Sequence, residues 1–205
     1  MPNIFTIEFV YLALSLIVAI TIHEFFHAFA ADKLGDPTPR SMGRLSLNPL
    51  VHLDPLGTLA LLFVRFGWGK PVPIDSYNFK NPRRDEIIVS LAGPLSNLLL
   101  AALCALLLRF IPIAIIFYFI QINLMLGVFN LLPLPPLDGS KIFLNLLSVE
   151  KSIIWQEAFE KYGMILIFIL IFLPIGGSSI ILRIIMPIVS FLMRFYLNLF
   201  AGLNI

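Results

Sequence analysis

Three ionisable residues lie close together in the first apolar stretch of the chain: His23, Glu24 and His27. Ionisable side chains at membrane depth are costly, so each of them is a candidate functional group. Residues four apart share one helical face, and the spacing therefore predicts that both histidines point at one cation. This is the H-E-x-x-H pattern, with two zinc ligands and a general base. The alternative, in which the histidines satisfy each other or a backbone carbonyl, leaves Glu24 without a role.

The chemistry of such a site requires a third metal ligand. Zinc lowers the pKa of a water ligand towards about 7, and Glu24 would accept the proton. A catalytic zinc site has three protein ligands and one open position. Asp138 is the candidate, because it follows the third predicted span and topology places it at the depth of the histidines. Asp138 could instead cap a helix over residues 139–147.

Prolines interrupt the stretch that leads to Asp138. Residues 130–137 read Asn-Leu-Leu-Pro-Leu-Pro-Pro-Leu, which breaks the helix and frees backbone carbonyls. Such backbone is tolerated at membrane depth only where it is buried in protein or lines a wet cavity. The sequence therefore predicts a water-filled pocket beside the metal.

The composition is that of a membrane protein. The 205 residues are 59% hydrophobic and 13% charged, with a mean hydropathy of +0.96. Soluble domains are about one quarter charged. The net charge of +2 gives no indication of a nucleic-acid partner. Cys104 is the single cysteine, which excludes an intrachain disulfide. The N-terminus lacks a basic region and a convincing cleavage site, so it is read as a retained span rather than a signal peptide.

The apolar segments predict an all-α polytopic membrane protein with about five transmembrane helices. The predicted spans are residues 4–31, 87–110, 113–132, 162–173 and 180–200. We divide the single membrane-embedded domain, residues 1–205, into the H-E-x-x-H helix (4–31), an insertion (32–86), two spans with the proline-rich motif (87–147) and two C-terminal spans (148–205). Nothing in the sequence indicates an oligomeric state.

The insertion over residues 32–86 is rich in glycine, proline and basic residues. Residues 56–66 are apolar but too few to span, which indicates a re-entrant or interfacial segment. Residues 70–74 are expected to be extended, with a β-hairpin as one form of the insertion. Basic residues cluster in this insertion and between the third and fourth spans. The positive-inside rule therefore predicts an outside N-terminus and a site facing the cytoplasm, in the plasma membrane.

In these motifs and their order, the chain resembles the site-2 protease family of intramembrane zinc metalloproteases, peptidase family M50. The likeness covers about residues 15–145. The stretches that carry it are the H-E-x-x-H string, residues 43–57, the Gly-Trp-Gly-Lys-Pro-Val-Pro string over residues 67–73, Gly-Pro-Leu-Ser-Asn over residues 93–97, and residues 130–139. The resemblance implies the minimal form of the family, without a PDZ or CBS domain.

The resemblance also implies roles for individual residues. One Zn²⁺ per chain would be held by His23, His27 and Asp138, with Glu24 as the catalytic glutamate. Asn130 matches the asparagine thought to steady the substrate or the tetrahedral oxyanion.

Two further positions, His52 and Asn97, match the family pattern. His52 would line the site or cap the nearby turn at residues 54–55. Asn97 is expected to join helices through side-chain hydrogen bonds.

The function implied is zinc-dependent cleavage of transmembrane segments, as in regulated intramembrane proteolysis. The partners would be membrane-protein substrates and the lipid bilayer. Two alternatives belong to other classes. A non-catalytic membrane-protein binder or chaperone would not need Glu24. A zinc transporter should show acidic residues and histidines along several spans, and residues 87–110 contain none.

Overall fold

The structure is a computed structural model that describes residues 6–64, 67–175 and 177–203. The described residues form eight α-helices and one pair of two-residue antiparallel strands. The helices are α1 (Ile7–Leu34), α2 (Thr38–Ser41), α3 (Pro55–Val64), α4 (Pro82–Leu108), α5 (Ala114–Asn130), α6 (Asp138–Leu146), α7 (Val149–Phe172) and α8 (Ile180–Tyr196), and the strands are β1 (Pro174–Ile175) and β2 (Ser178–Ser179). A π-helical turn, Leu197–Ala201, continues α8.

Local signals in the sequence set both ends of α1. The Thr6 hydroxyl accepts the Phe9 N–H at 3.3 Å, which satisfies a free donor at the start of the helix. Gly35 ends the helix with a φ of 110°, a left-handed conformation that favours glycine. The helix runs three residues beyond the predicted end at residue 31. Residues 4 and 5, where the prediction begins, lie outside the described part of the chain.

Three described helices are long and apolar enough to cross a membrane: α1, α4 and the helix Ile180–Ala201 that joins α8 to its π-helical turn. Helix α5 is apolar but has only 17 residues. The predicted fourth span, residues 162–173, corresponds to the second half of α7. The chain is therefore an all-α integral membrane protein, and the count of five spans stays a prediction.

Helix α4 lies at the centre of the fold and packs against α1, α5 and α6. Its small residues Ala101 and Ala105 are fully buried in a core with residues of α5 and α8, such as Ile120 and Ile185. Small side chains let helices approach closely, which is how helices associate where lipid removes the hydrophobic driving force. This core holds α4 firmly, and α4 in turn carries groups that contact the site.

Among its described residues, the insertion contains the short helices α2 and α3 joined by irregular segments, and it contains no hairpin. Among the described residues, strand pairing in this region is limited to the single bridge between Leu53 and Gly69. The predicted re-entrant segment, residues 56–66, corresponds to α3, although its residues 65 and 66 lie outside the described part. The insertion ends earlier than predicted, because α4 begins at Pro82. In the part of the chain that the structure describes, a single strand pair, β1 with β2, lies between α7 and α8, where no strand was predicted.

Asp36 joins the two ends of the insertion. Its buried carboxylate accepts the N–H groups of Thr38 at 3.0 Å and Asp75 at 2.8 Å, and the Asn78 amide at 2.9 Å. Burial opposes ionisation of this carboxyl, but the hydrogen bonds outweigh it and hold its pKa below the usual range. The segment that follows residue 69 is thereby fixed to the end of α1.

Candidate metal centre

Three donor atoms converge between α1 and the start of α6. The Nε2 atoms of His23 and His27 lie 3.0 Å apart. Oδ2 of Asp138 lies 3.1 Å from the first and 3.2 Å from the second. The structure thus brings together the three residues that the sequence predicted as metal ligands. Among the described residues, these three side chains form a group whose ligand atoms are close enough together to hold one metal ion.

Hydrogen bonds at Nδ1 determine which ring nitrogen carries the proton in His23 and His27. Nδ1 of His23 lies 2.7 Å from the amide oxygen of Asn97, and Nδ1 of His27 lies 2.7 Å from the carbonyl oxygen of Val89. Both oxygens are acceptors only, so each Nδ1 carries the proton and donates it. Each Nε2 is therefore left with a lone pair for a metal, the arrangement typical of zinc-ligating histidines.

The convergence of these lone pairs indicates a cation. Two neutral Nε2 atoms and a carboxylate oxygen have no proton to share at this point. A tetrahedral zinc with bonds of about 2.0–2.1 Å separates its ligand atoms by about 3.3 Å, close to the spacing observed. Space for the ion is kept by Gly93 of α4, since a Cβ there would lie 2.3 Å from Nε2 of His27. The donor set and its surroundings fit zinc.

Asp138 is aimed at the histidines by the helix it begins. Leu137 occupies the cap position of α6, and Asp138 is the first helical residue. The alternative capping role for Asp138 is therefore not observed. Glu86 of α4 accepts the Asn145 amide at 2.8 Å and so ties α6 to α4.

Glu24 lies next to this centre and is held by the insertion. Its Oε2 accepts the backbone N–H of Val72 at 3.0 Å. The Nη2 atom of Arg44 lies 4.0 Å from the same oxygen. Both side chains are largely buried, with 13% of Glu24 and 6% of Arg44 exposed. The glutamate is therefore ordered on one side by a backbone donor and a buried cation.

The remaining sequence-predicted residues take other positions. The Asn130 amide donates to the carbonyl oxygen of Leu126, one turn back in α5, at 3.0 Å. Its role at the oxyanion stays a prediction. His52 is fully buried and bonds the Ser46 carbonyl oxygen through Nε2 at 2.7 Å. Burial lowers the pKa of His52. It fastens the loop before α3, where Asp54 provides the turn contact.

Asn97 makes more contacts around the metal centre than the sequence predicted. Its amide nitrogen donates to the carbonyl oxygen of Ala19 at 3.0 Å and to Oδ1 of Asn123 at 2.8 Å. It therefore joins α4 to α1 and α5 as expected, and it also contacts His23. The G-x-x-x-N spacing of Gly93 and Asn97 was the available signal, because residues four apart face the same neighbour.

Comparisons with known proteins agree with this centre. The family model described as Peptidase family M50 matches residues 107–174. "Putative zinc metalloprotease YwhC" of Bacillus subtilis is 41% identical over 186 residues, which are 82% of this chain and 82% of that protein. "Putative zinc metalloprotease Rip2" of Mycolicibacterium smegmatis is 33% identical over 77% of this chain and 65% of its own length. "Zinc metalloprotease MJ0392" of Methanocaldococcus jannaschii is 27% identical over 65% of this chain and 33% of its own length.

No solved structure matches the chain significantly. The relative from Bacillus subtilis is similar over most of both chains, and the family model covers Asp138 together with the proline-rich loop before it. These similarities and the convergence of two histidines with one aspartate lead to the same conclusion. The chain belongs to peptidase family M50, the site-2 protease family, and is a zinc metalloendopeptidase of the membrane.

Proposed function

We propose that this zinc metalloendopeptidase cleaves peptide bonds within, or at the edge of, the transmembrane segments of other membrane proteins. The observation that carries the proposal is the depth of the site. Helix α1 has 28 residues, and its most apolar 18-residue window has a mean hydropathy of 2.0. Glu24 lies ten residues before its last residue, which is roughly 15 Å along the axis at 1.5 Å per residue. That position is inside the hydrocarbon layer if the helix spans it.

The proposed roles follow from the donor geometry. His23, His27 and Asp138 hold the zinc, which when bound polarises a carbonyl and makes water a stronger acid. Glu24 takes the proton from the attacking water and passes it to the leaving amine. Asn130 is proposed to steady the substrate or the developing oxyanion. Water would reach the site along the proline-broken loop before Asp138, because backbone of that kind requires a wet or protein-lined setting.

A substrate helix must unwind before its backbone can be cut, since its amides are otherwise bonded internally. We propose that extended backbone of the insertion pairs with the unwound substrate as an added strand. Ile74→Pro tests this pairing against Ile74→Ala, which keeps the N–H. Equal cleavage by the two variants would argue against strand addition. Greater loss in the proline variant would support it.

The orientation of the site is proposed from charge. The basic residues of the insertion favour its placement on the cytoplasmic side of the plasma membrane. The link between α4 and α5 then faces outward. A reporter fused at Pro112 should be active only outside the cytoplasm, and a cytoplasmic reporter would contradict the orientation.

The direct test of the proposed function is to map the cleavage site. Purified protein in lipid nanodiscs is given a single-span membrane protein, and the products are measured by mass spectrometry. We expect a cut inside the apolar segment that a chelator abolishes and added zinc restores. Cleavage confined to the flanking soluble residues would contradict intramembrane proteolysis. Membership of family M50 favours the protease over the chaperone and transporter alternatives.

A further inference from the structure

The guanidinium group of Arg44 is buried beside the site without contacting the metal ligands. Arg44 is 5% exposed and lies between α2 and α3. Its Nη1 donates to the carbonyl oxygen of Pro71 at 2.8 Å, and its Nη2 donates to that of Lys70. A buried charge is costly unless it is paired and hydrogen-bonded. The Glu24 carboxylate lies 4.0 Å from Nη2. The two hydrogen bonds go to successive carbonyls of one short segment, which Arg44 therefore holds in place.

That segment has one backbone donor at its centre. In the string Pro71-Val72-Pro73 only Val72 has an N–H, because proline has none. The segment is anchored upstream by the N–H of Lys70, which donates to the carbonyl oxygen of His52 at 2.7 Å. With both carbonyls held, the Val72 N–H has a fixed direction, and it donates to Oε2 of Glu24 at 3.0 Å.

We infer that Arg44 is a positioning residue for Glu24 and that it acts through the Val72 N–H. The N–H holds Oε2 and so fixes the rotation of the carboxylate, which leaves Oε1 as the oxygen that takes the proton. Buried groups that orient a catalytic side chain commonly change activity by tenfold to a hundredfold when removed. The inference rests on the proposed role of Glu24 as general base. The competing explanation is that Arg44 only fastens the insertion.

The first test compares Val72→Pro with Val72→Ala. Both variants lose the valine side chain, but only the proline variant loses the N–H. We expect kcat to be about tenfold to a hundredfold lower in the proline variant than in the alanine variant. KM and the zinc content should be the same in both. Equal kcat values would overturn the inference, while the wild-type protein would still test the proposed function separately.

The second test does not depend on cleavage. With selective ¹⁵N-valine labelling in detergent, the amide resonance of Val72 should move upfield in Glu24→Gln, because a neutral amide is a weaker acceptor than a carboxylate. The Val72 amide resonance should move upfield in Arg44→Met as well. Arg44→Lys keeps a cationic donor, so its Val72 resonance and its kcat should both lie closer to the wild-type values than those of Arg44→Met. A Val72 resonance unaffected by Glu24→Gln would overturn the inference, even if the protein proved inactive on every membrane substrate.

Discussion

The amide oxygen of Asn97 lies 2.7 Å from Nδ1 of His23, and both residues are buried. His23 is a proposed metal ligand on α1, and Asn97 on α4 sets its tautomer, because the amide oxygen accepts the Nδ1 proton. The amide nitrogen of Asn97 donates to the amide oxygen of Asn123 on α5. The metal centre is therefore oriented by a polar chain that crosses three helices, α1, α4 and α5.

Asn97→Leu should weaken zinc binding by about tenfold to a hundredfold, which is the usual effect of removing an outer partner of a zinc-bound histidine. The measurement is competition with a chelator of known affinity on purified protein. Ser96→Ala is the matched control, since Ser96 is a buried neighbour that bonds only toward Gly93 of its own helix. Equal zinc affinity in the two variants would show that the Asn97 contact does not orient His23.

Gly93→Ala should expel the metal while leaving the helix bundle intact. An ideal Cβ at this position lies 2.3 Å from Nε2 of His27 and 2.8 Å from Cε1 of His23, so the imidazoles must move. Gly127→Ala is the control, because its Cβ would meet the Pro94 carbonyl oxygen at 3.1 Å, away from the donors. Zinc content is measured by elemental analysis. Full zinc occupancy in Gly93→Ala would contradict the geometry of the site.

Asp138→Asn replaces the one anionic donor with a neutral amide. We expect zinc affinity to fall by more than about a hundredfold, beyond the range of outer-partner changes. Asp54→Asn serves as control, since Asp54 accepts the Gly57 N–H at the start of α3 and has no contact with the histidines. The dissociation constant is measured for both. A wild-type constant in Asp138→Asn would remove Asp138 from the set of ligands.

Asp36→Asn should destabilise the protein in a way that depends on pH. The folded-state pKa of Asp36 is lowered, so its contribution is present above the unfolded value of about 3.9 and is lost as pH falls through the folded value. At pH 7 we expect a loss of about 1–3 kcal/mol, because three buried donors face a poorer acceptor. The difference from wild type should vanish at low pH.

Thermal unfolding in detergent from pH 7 downward measures this difference. Asp75→Asn is the control, because Asp75 is exposed and its side chain accepts the N–H of Tyr77 in its own turn. Its effect should be smaller. A constant difference between Asp36→Asn and wild type at all pH values would contradict the assignment to the carboxylate charge.

The convergence of His23, His27 and Asp138 could be predicted from the sequence because it depends on simple rules of spacing and chain direction. His23 and His27 are four apart on one helix, and Asp138 follows α5, which the sequence predicts as a span with the same direction as α1. The contacts of Arg44 and Asn97 could not be predicted in the same way. Each joins segments that are far apart in the chain, and their partners depend on how α4 and the insertion pack against α1.

The boundaries of the insertion could be predicted only approximately from the sequence. Hydropathy placed its end at residue 86, but α4 begins at Pro82. Proline suits the first turn of a helix, and the exposed Arg83 and Arg84 keep this turn outside the apolar stretch. A hairpin was a reasonable expectation for the extended string near Val72. The string is instead held by Arg44 and Glu24, so side-chain donors and acceptors replace the ladder that a hairpin would form.

Glu24 is proposed as the general base of a zinc endopeptidase that works inside the membrane. Glu24→Gln in the purified protein tests it most directly, with zinc content and cleavage of a single-span membrane substrate measured on the same preparation. We expect about one zinc per chain, as in wild type, and cleavage reduced by about 10²–10⁴-fold. Cleavage at the wild-type rate by the zinc-loaded variant would contradict it.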